Sequence, residues 1–506
     1  MTDRRISRRD VLKILAGGSA GLVLGVLGFW RLGNNPYALR SSETASSKAE
    51  YGVSGAKVTI IQDGSSYLSI RDDGSLVMSG TDPTTLINHG MENALSPGRK
   101  NKETIKLKGS FVNLRTILIP SYTILDLSDA YIRQADMTHD HLISNKNKDS
   151  GNTNIDIIGG IIDGNKLGNA SDYEDLGFPG ADVSNTIQLE NVTNCGINSI
   201  TMINGYYHGL RIRNSIGVLI GNCTFKSISR ESITISGYAK PVGTCGVIRV
   251  SNNAIYDSGN SFVSTLKTYD VIISGNLCEN VVGQASGITI NGTNNQVVNN
   301  TIRNTYLDPI SIAQINLPDF DASGSIVSGN ICHGARFSLS NGISSVVYPC
   351  KNLIISNNRI SGTGEGISLS GRDQNILITD NIINSSRNSG IRISGITGFE
   401  IQNIKISNNI CYNNGTARDP NELNKAGIRL SSQQVGLLHD CVIENNSCFD
   451  DRQEGKTQEY GILLVNTKDC IVRQNYLRNN IVSGMGEVGS VGTVATENID
   501  KFPPSG

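Results

Sequence analysis

One short pattern, a glycine followed by an apolar, a variable and a second apolar residue, returns through much of this 506-residue chain. Copies stand at 209–212, 287–290, 366–369, 390–393, 427–430 and 461–464, and at 232–235 and 309–312 with the glycine replaced. Where no longer loop intrudes, the copies lie 22 to 24 residues apart, as from Ile367 to Ile391. A unit of this length cannot close a core by itself and must stack on its neighbours. The pattern therefore predicts a solenoid.

The amino-acid composition indicates that each repeat unit is made of β-strands. The chain has 55 glycines and only 12 prolines, and short alternating runs of Val, Ile, Asn, Ser and Thr recur between turn residues. We therefore expect an all-β fold, a parallel β-helix. The formal charge of −1 gives no basic field for phosphate contacts, which argues against nucleic acid as a partner.

A second column of residues supports the same register. In successive units an asparagine stands two residues before a small apolar residue, at positions 253, 276, 300, 330, 358, 381, 409, 446 and 475. Stacked asparagines can bond to one another along a solenoid axis and satisfy the polar groups of a tight bend. We expect this column to be a structural ladder.

The ten cysteines fit the repeat as core residues. Cys278, Cys332, Cys411 and Cys448 take a slot that isoleucine fills in other units, which favours buried free thiols. Disulfides remain the alternative for an exported chain, because Cys411 with Cys448, and Cys441 with Cys470, fall in adjacent units.

The first 33 residues resemble a twin-arginine export signal. Arg8-Arg9 precedes the apolar run from Ile14 to Trp30, with Val11 where such signals usually have phenylalanine. This implies the twin-arginine export machinery as a partner and an extracytoplasmic location, secreted, periplasmic or at the cell surface. The alternative is an uncleaved membrane anchor.

The rest of the chain divides into three parts. Residues 34–100 are predicted to form a linker and an N-terminal cap, with a helix opened by Thr81-Asp82-Pro83. Such a cap covers the core that the first coil of a solenoid exposes. Residues 101–485 are predicted to form the β-helix, and 486–506 a C-terminal tail.

Several segments resemble the opening of pectate-lyase-like proteins. They are Asp73-Gly74, the run 79–82, Ile119-Pro120-Ser121, the run 125–127 and the run 158–164. The resemblance implies a single-stranded, right-handed parallel β-helix, a fold that carries polysaccharide lyases, hydrolases and epimerases as well as phage tailspikes. The Gly-His-Gly motif of polygalacturonase-type hydrolases and the Asp-Pro-His motif of mannuronan epimerases are missing from the sequence. The fold by itself does not indicate which of these functions the chain has.

The repeat register gathers one group of titratable residues. With Leu210 and Ile212 inside, Arg211 and Arg213 point outward, because successive strand residues alternate in direction. The register predicts one outward row of Gln188, Arg211, Thr234 and Ser264, and a second of Glu190, Arg213 and Ser236. At the bend before the strand it stacks Asn185, His208 and Glu231, and it sets Tyr207 beside Arg230.

This group suits lyase or C5-epimerase chemistry on an acidic polysaccharide. Arg211 or Arg213 would neutralise a uronate carboxylate, His208 would take the C5 proton and Tyr207 would act as the acid. The predicted catalytic set is completed by Glu231, and the predicted substrate-binding residues are Gln188, Glu190, Arg230 and Lys267. Asp308 is an outlying candidate.

Three alternatives stay open. A glycoside hydrolase would need two carboxylates about 5 to 10 Å apart, for which Glu231 with Glu190 is the local pair. In a second alternative the charged residues form ion pairs between adjacent coils, and the solenoid is not catalytic. It would then bind glycan or serve as a structural spacer. The acidic loop with Asp172, Glu174 and Asp175 suits Ca²⁺ or is simply solvated, and the sequence defines no certain cofactor or metal site.

Overall fold

The computed structural model describes residues 55–138, 140–169, 185–237, 245–312, 322–337, 339–346, 350–417 and 425–500. Within them, parallel strands stack coil upon coil into a right-handed parallel β-helix, which confirms the predicted fold class. Each regular coil supplies three strands, one to each of three faces of the solenoid. The second and third faces are joined into one large sheet, and the first face is a sheet of its own.

The first face is a sheet of fourteen strands among the described residues. Its strands are Ile117–Ile119, Ile143–Asn145, Ile187–Glu190, Leu210–Arg213, Ile233–Ser236, Val263–Leu266, Ile288–Ile290, Ile310–Ile312, Ile343–Val346, Ile367–Ser370, Ile391–Gly395, Ala426–Ser432, Tyr460–Val465 and Ser483–Val488.

The other two faces begin with two long strands, Glu103–Asn113 and Thr123–Gln134, which run through both. The second face continues with Asn152–Thr153, Ile155–Ile158, Val192–Asn198, Ile216–Gly221, Arg249–Ser251, Ile272–Ser274, Gln296–Val298, Ile326–Ser328, Ile354–Ser356, Gln374–Thr379, Ile401–Ser407, Leu438–His439, Val442–Glu444, Ile471–Arg473 and Val494–Thr496. The third face continues with Ile161–Asp163, Thr201–Ile203, Thr224–Ile228, Ala254–Ser258, Leu277–Val281, Thr301–Thr305, Ile331–Ala335, Arg359–Ser361, Ile382–Asn384, Ile410–Tyr412 and Ser447–Phe449. A short parallel pair, Thr268–Tyr269 and Gly292–Thr293, lies apart from them.

The N-terminal end of the solenoid carries an antiparallel meander and a helix. The strands Val58–Asp63, Ser66–Arg71 and Leu76–Gly80 pair in order, and the first also pairs in parallel with Glu103–Asn113. The helix Pro83–His89 continues into a π-helical turn, Gly90–Ala94, and begins where the sequence predicts. Its N-cap Asp82 accepts hydrogen bonds from the backbone N–H groups of the next turn, and its apolar side is buried.

The domain boundaries predicted from the sequence stay predictions. The boundary between 33 and 34 lies outside the described residues. At the other end, Val494–Thr496 still pairs in parallel with Ile471–Arg473, so the coils continue past residue 485.

Steric constraints explain why glycine stands at the start of most repeats. A Cβ at Gly209 would lie 2.7 Å from the Ser232 carbonyl oxygen of the next coil, and one at Gly390 would lie 2.6 Å from that of Gly427. At these two glycines the bend into the first face therefore brings the backbones of adjacent coils too close for a side chain.

Two interior predictions are confirmed. The asparagine column forms a ladder in which each side-chain amide donates to the oxygen of the next, at 2.9 Å from Asn381 to Asn409 and 3.0 Å from Asn409 to Asn446. All ten cysteines are free and buried. Cys411 and Cys448 lie in register on adjacent coils, and burial raises the pKa of Cys448.

Candidate functional site

The candidate site starts from the bend that leads into the first face. In ten coils one residue stands two positions before the first-face strand, and we call this set the bend row: His141, Asn185, His208, Glu231, Ser261, Ser286, Asp308, Asn341, Glu365 and Ser389. Because parallel coils stack at about 4.8 Å, neighbours in the bend row can touch.

The strands themselves have the predicted register. Gln188 pairs with Arg211, Arg211 with Thr234, and Thr234 with Ser264. Glu190, Arg213 and Ser236 form the second outward row. Although both rows point away from the core, Gln188 and Arg211 are only 2% and 9% exposed. This part of the first face is therefore a covered, polar environment.

His208 and Glu231 make the central contact of the site. The imidazole Nδ1 lies 2.8 Å from Glu231 Oε2 and 3.2 Å from the Thr234 hydroxyl, while the Asn260 amide donates to Glu231 Oε1 at 2.8 Å. His208 is buried, and the Glu231 side chain is 13% exposed. A carboxylate on Nδ1 fixes the tautomer that carries its hydrogen there, which leaves the lone pair on Nε2.

Burial and charge set the protonation of this pair. Burial lowers the pKa of His208 and outweighs the opposite effect of Glu231, and the Arg211 and Arg230 charges lower it further. Burial acts to raise the pKa of Glu231, but the hydrogen bond from His208 together with Arg230 outweighs it and holds that pKa below its usual value. At neutral pH the pair is a neutral imidazole held by a carboxylate, which is the state that a general base requires.

Tyr207 lies beside the histidine. The two rings meet edge to face with centroids 4.4 Å apart, and Tyr207 is buried. Arg230 of the next coil donates to the Tyr207 hydroxyl oxygen at 2.7 Å, and its guanidinium carbon lies 4.8 Å from the ring centroid. A cation on that oxygen stabilises the phenolate that remains after the tyrosine gives up its proton.

The remaining predicted residues extend the site along the strands. Arg213 Nε lies 3.6 Å from Glu190 Oε1, and Gln188 donates to the other Glu190 oxygen at 3.4 Å. Asn185 donates to Gln188 at 2.6 Å, which links this network back to the bend row. The structure thus brings eight of the nine predicted residues into one group on adjacent coils.

Lys267 is the exception. It follows the strand Val263–Leu266 with φ of +53°, at the corner that ends the first face. The bend row lies before the strand, so Lys267 and His208 occupy opposite ends of the face. The structure therefore sets Lys267 apart from the other eight residues, and its role in binding substrate stays a prediction.

The register also separates the two carboxylates of the hydrolase alternative. Glu190 pairs with Arg213 and so with Ser236, five residues along the chain from Glu231, and five extended residues span about 16 Å. Each carboxylate faces its own partner, Arg213 or His208. This pair does not have the spacing that a glycoside hydrolase needs.

Sequence reasoning missed a second titratable group on the same face. Glu365 of the bend row is 4% exposed, accepts a hydrogen bond from the Ser389 backbone N–H at 2.6 Å, and lies 3.7 Å from Arg392 Nη1. Burial raises its pKa to about 7. Arg429 lies in register with Arg392, and burial lowers its pKa.

Two further members of the bend row stand out. Burial raises the pKa of Asp308, which accepts hydrogen bonds from the Ser344 hydroxyl and the Asn341 backbone N–H. The buried His141 accepts at Nδ1 from the Asn185 backbone N–H. Asp308 is the outlying candidate of the sequence analysis. The signal that would have found Glu365 and His141 as well is positional: a titratable residue two places before the first apolar residue of a first-face strand.

The described residues contain neither a metal-binding cluster nor a membrane-spanning helix. Among them, no group of three or more His, Cys, Asp or Glu side chains is placed to hold a metal ion. The acidic loop with Asp172, Glu174 and Asp175, which the sequence analysis gives as an alternative Ca²⁺ site, lies outside the described residues. The N-terminal segment lies outside them as well. The described part of the chain contains no helix with the length and apolar character needed to span a membrane.

Comparison with known proteins supports the fold. The model of the right handed beta helix region matches residues 341–499. No curated protein matches the sequence.

Solved structures resemble the chain at low identity. A mutant tailspike protein of E. coli bacteriophage HK620 has a TM-score of 0.59 at 14% identity, covering 84% of this chain and 77% of the tailspike. A related tailspike structure, in complex with pentasaccharide, has a TM-score of 0.57 at 14% identity, with 84% and 79% covered. The A-module of a mannuronan C-5 epimerase from Azotobacter vinelandii has a TM-score of 0.42 at 12% identity, with 83% and 96% covered. The chain is a right-handed β-helix protein, and at these identities the likeness extends to the fold alone.

Proposed function

We propose that this protein is an exported enzyme that acts on an acidic polysaccharide by β-elimination or C5-epimerisation, with its reaction centre at His208. The observation that carries the proposal is the buried contact between His208 and Glu231, 2.8 Å long, on a face that also presents Arg211 and Tyr207. A neutral histidine, a polarised tyrosine and a buried cation supply a base, an acid and a charge stabiliser in one place.

The first step is proton abstraction from a uronate. Arg211, with Arg213 beyond it, pairs with the uronate carboxylate and stabilises the negative charge that develops as the C5 proton leaves. His208 Nε2 takes this proton, and Glu231 stabilises the imidazolium that results.

The second step decides between the two reactions. In a lyase, the electron pair from C5 forms the C4–C5 double bond, the C4–O4 bond breaks, and Tyr207 protonates the leaving oxygen. In an epimerase, Tyr207 instead returns a proton to C5 from the opposite side. Arg230 on the tyrosine oxygen favours proton release in both cases.

The other predicted residues would bind the polymer. Gln188, Glu190 and Arg230 border the centre, and Lys267 at the far corner of the face would contact a neighbouring sugar. The tailspike that was solved with a pentasaccharide supports the idea that this fold can carry a glycan.

Export is part of the proposal. The twin-arginine-like segment at the N-terminus would take the chain across a membrane, and an acidic polysaccharide outside the cytoplasm is then a substrate within reach. Whether the segment is cleaved or retained as an anchor does not alter the reaction.

A second candidate function rests on Glu365. With a pKa of about 7 it is suited to be the general acid of a glycoside hydrolase. Asp308 stands two coils away in the same bend row, and two coil spacings are about 10 Å, close to the separation of the two carboxyl groups in inverting enzymes. This pair replaces Glu231 with Glu190 as the carboxylate pair that the geometry favours.

The test is a screen of the purified chain against uronate-containing and neutral polysaccharides with three readouts. Ultraviolet absorbance detects unsaturated uronate, NMR in D₂O detects deuterium gained at C5, and a reducing-end assay detects hydrolysis. Tyr207→Phe removes the proposed acid, and Tyr256→Phe on the third face is the matched control.

We expect unsaturated product or C5 exchange that is lost in Tyr207→Phe and kept in Tyr256→Phe. Reducing ends without either product, lost in Glu365→Gln, would replace the proposal with the hydrolase. Binding without turnover on every substrate would replace it with a non-catalytic, glycan-binding solenoid.

A further inference from the structure

A groove lies on the third face, away from the bend row. It has a volume of about 590 Å³ and is lined by Arg303, Ile331, His333, Arg359, Ile360, Ser361, Ile382, Asn384 and Tyr412. The volume is within the range of ligand-binding clefts. These residues come from the strands Thr301–Thr305, Ile331–Ala335, Arg359–Ser361, Ile382–Asn384 and Ile410–Tyr412.

The shape of the groove follows from the register. One outward row runs Arg303, His333, Ser361, Asn384 and Tyr412, so that two short side chains lie between longer ones. A parallel outward row runs Ile331, Arg359 and Ile382 and forms the other side. From Arg303 to Tyr412 there are four coil spacings, or about 19 Å, which suits a length of polymer better than a small ion.

The polar groups in the groove are held in place by one another. His333 Nδ1 lies 2.8 Å from the Ser361 hydroxyl, and Asn384 donates to the Tyr412 hydroxyl oxygen at 2.8 Å. Since Tyr412 accepts from Asn384, its own O–H is oriented to donate elsewhere. The Tyr412 ring stacks on Phe449 with centroids 5.5 Å apart, which fixes the aromatic end of the groove.

The charge of the groove selects for anions. Among the nine described residues that line it, two are arginines, one is a histidine and none is acidic. The carboxylate nearest in register is Glu279, which pairs with Arg303 from one coil before the groove begins. Arginine binds carboxylate and sulfate groups through paired N–H donors.

We propose that this groove is a second binding site for an acidic polysaccharide chain, separate from the His208 centre. The arginines bind the acidic groups, and Tyr412 and the isoleucines contact the apolar faces of the sugar rings. The proposal deepens the proposed function, because it concerns the same class of glycan, but its test does not depend on turnover.

The experiment is calorimetric titration of the purified full chain with an oligogalacturonate and with its carboxyl-reduced, neutral counterpart. The groove variant is the double substitution Arg303→Ala/Arg359→Ala. The matched control, Lys226→Ala/Arg249→Ala, also removes two exposed positive charges, and Lys226 lies in the same outward row three coils before Arg303, about 14 Å away.

We expect the groove variant to lose about 10- to 100-fold in affinity for the acidic oligosaccharide, since each lost contact is a charge-assisted hydrogen bond. The control should change by less than about twofold, because exposed charges at that distance are screened at physiological salt. Tyr412→Phe should show a smaller loss, about threefold to tenfold, from the missing hydroxyl donor.

The proposal is overturned if the acidic and neutral oligosaccharides bind equally, if neither binds, or if the control loses as much affinity as the groove variant. Turnover of short oligosaccharides separates the two sites. If the groove variant binds weakly but keeps that turnover, both proposals stand. Binding in the groove without turnover on any substrate would support this binding site and contradict the proposed enzymatic function.

Discussion

Two histidine–carboxylate contacts in this protein have opposite electrostatics. His208 in the first face and His439 in the second face both place Nδ1 2.8 Å from a carboxylate oxygen. Burial lowers the pKa of His208 in spite of Glu231. Burial acts in the same direction on His439, but the hydrogen bonds that the imidazole donates to Glu400 and Asp440 outweigh it and raise the pKa of that imidazole.

The difference teaches that the contact distance alone does not define a functional histidine. Glu400 and Asp440 are more than half exposed, whereas the Glu231 side chain is 13% exposed. An exposed pair keeps its water and behaves as a surface salt bridge, while the buried pair excludes the charged imidazole. The four predictions below test this contrast.

The largest effect is expected for the substitution His208→Gln. Loss of a general base lowers turnover by about 10²- to 10⁴-fold, and the product assays described above measure it. The matched substitution His439→Gln should leave turnover unchanged. Equal losses in both variants would show that the contrast has no functional meaning.

The substitution Glu231→Gln comes next. Removing the carboxylate that orients a catalytic histidine lowers turnover by about 10²-fold or more. It also removes an interaction that favours the imidazolium, so the pKa of His208, followed by NMR, should fall further. A rise in that pKa would contradict the assigned role of Glu231, and Glu400→Gln is the control for turnover.

The two histidines should give opposite pH effects on stability. The folded pKa of His208 is lowered, so the unfolded chain binds its proton more tightly, and stability falls as pH drops through the unfolded value of about 6.5. The folded pKa of His439 is raised, so its contribution is complete below about pH 6.5 and is lost as pH rises through the folded value.

Denaturant unfolding of the wild type and both glutamine variants at about pH 5 and about pH 8 measures this difference. The gap between wild type and His439→Gln should widen at the lower pH. The gap between wild type and His208→Gln should shrink there. The same sign for both would refute the assigned directions.

The smallest effect is expected for Glu400→Gln. As part of a surface pair, this carboxylate contributes about 0 to 1 kcal/mol to the free energy of unfolding at neutral pH. A loss well above that range would mean that His439 is a structural contact comparable with His208.

Much of the fold, and the outline of the site, follow from the repeats. Because each coil adds one equivalent set of residues, the spacing from Leu210 to Ile233 is enough to place His208 over Glu231 and Arg211 over Thr234. The asparagine ladder follows in the same way. The repeat spacing does not describe distance along the strand, which sets Lys267 apart from His208 and Glu190 apart from Glu231.

The sequence by itself determined the solenoid and many of the neighbours of each side chain along its axis, because the recurring glycine and asparagine patterns set the register even where a longer loop intrudes. Only the tertiary structure decided which of those neighbours are buried. Glu231 and Glu365 stand in equivalent positions of the bend row, yet the pKa of Glu231 is lowered, whereas the loss of solvent around the Glu365 carboxyl raises its pKa to about 7. Solvent exposure depends on the packing of the whole chain around a residue, and no local pattern encodes it.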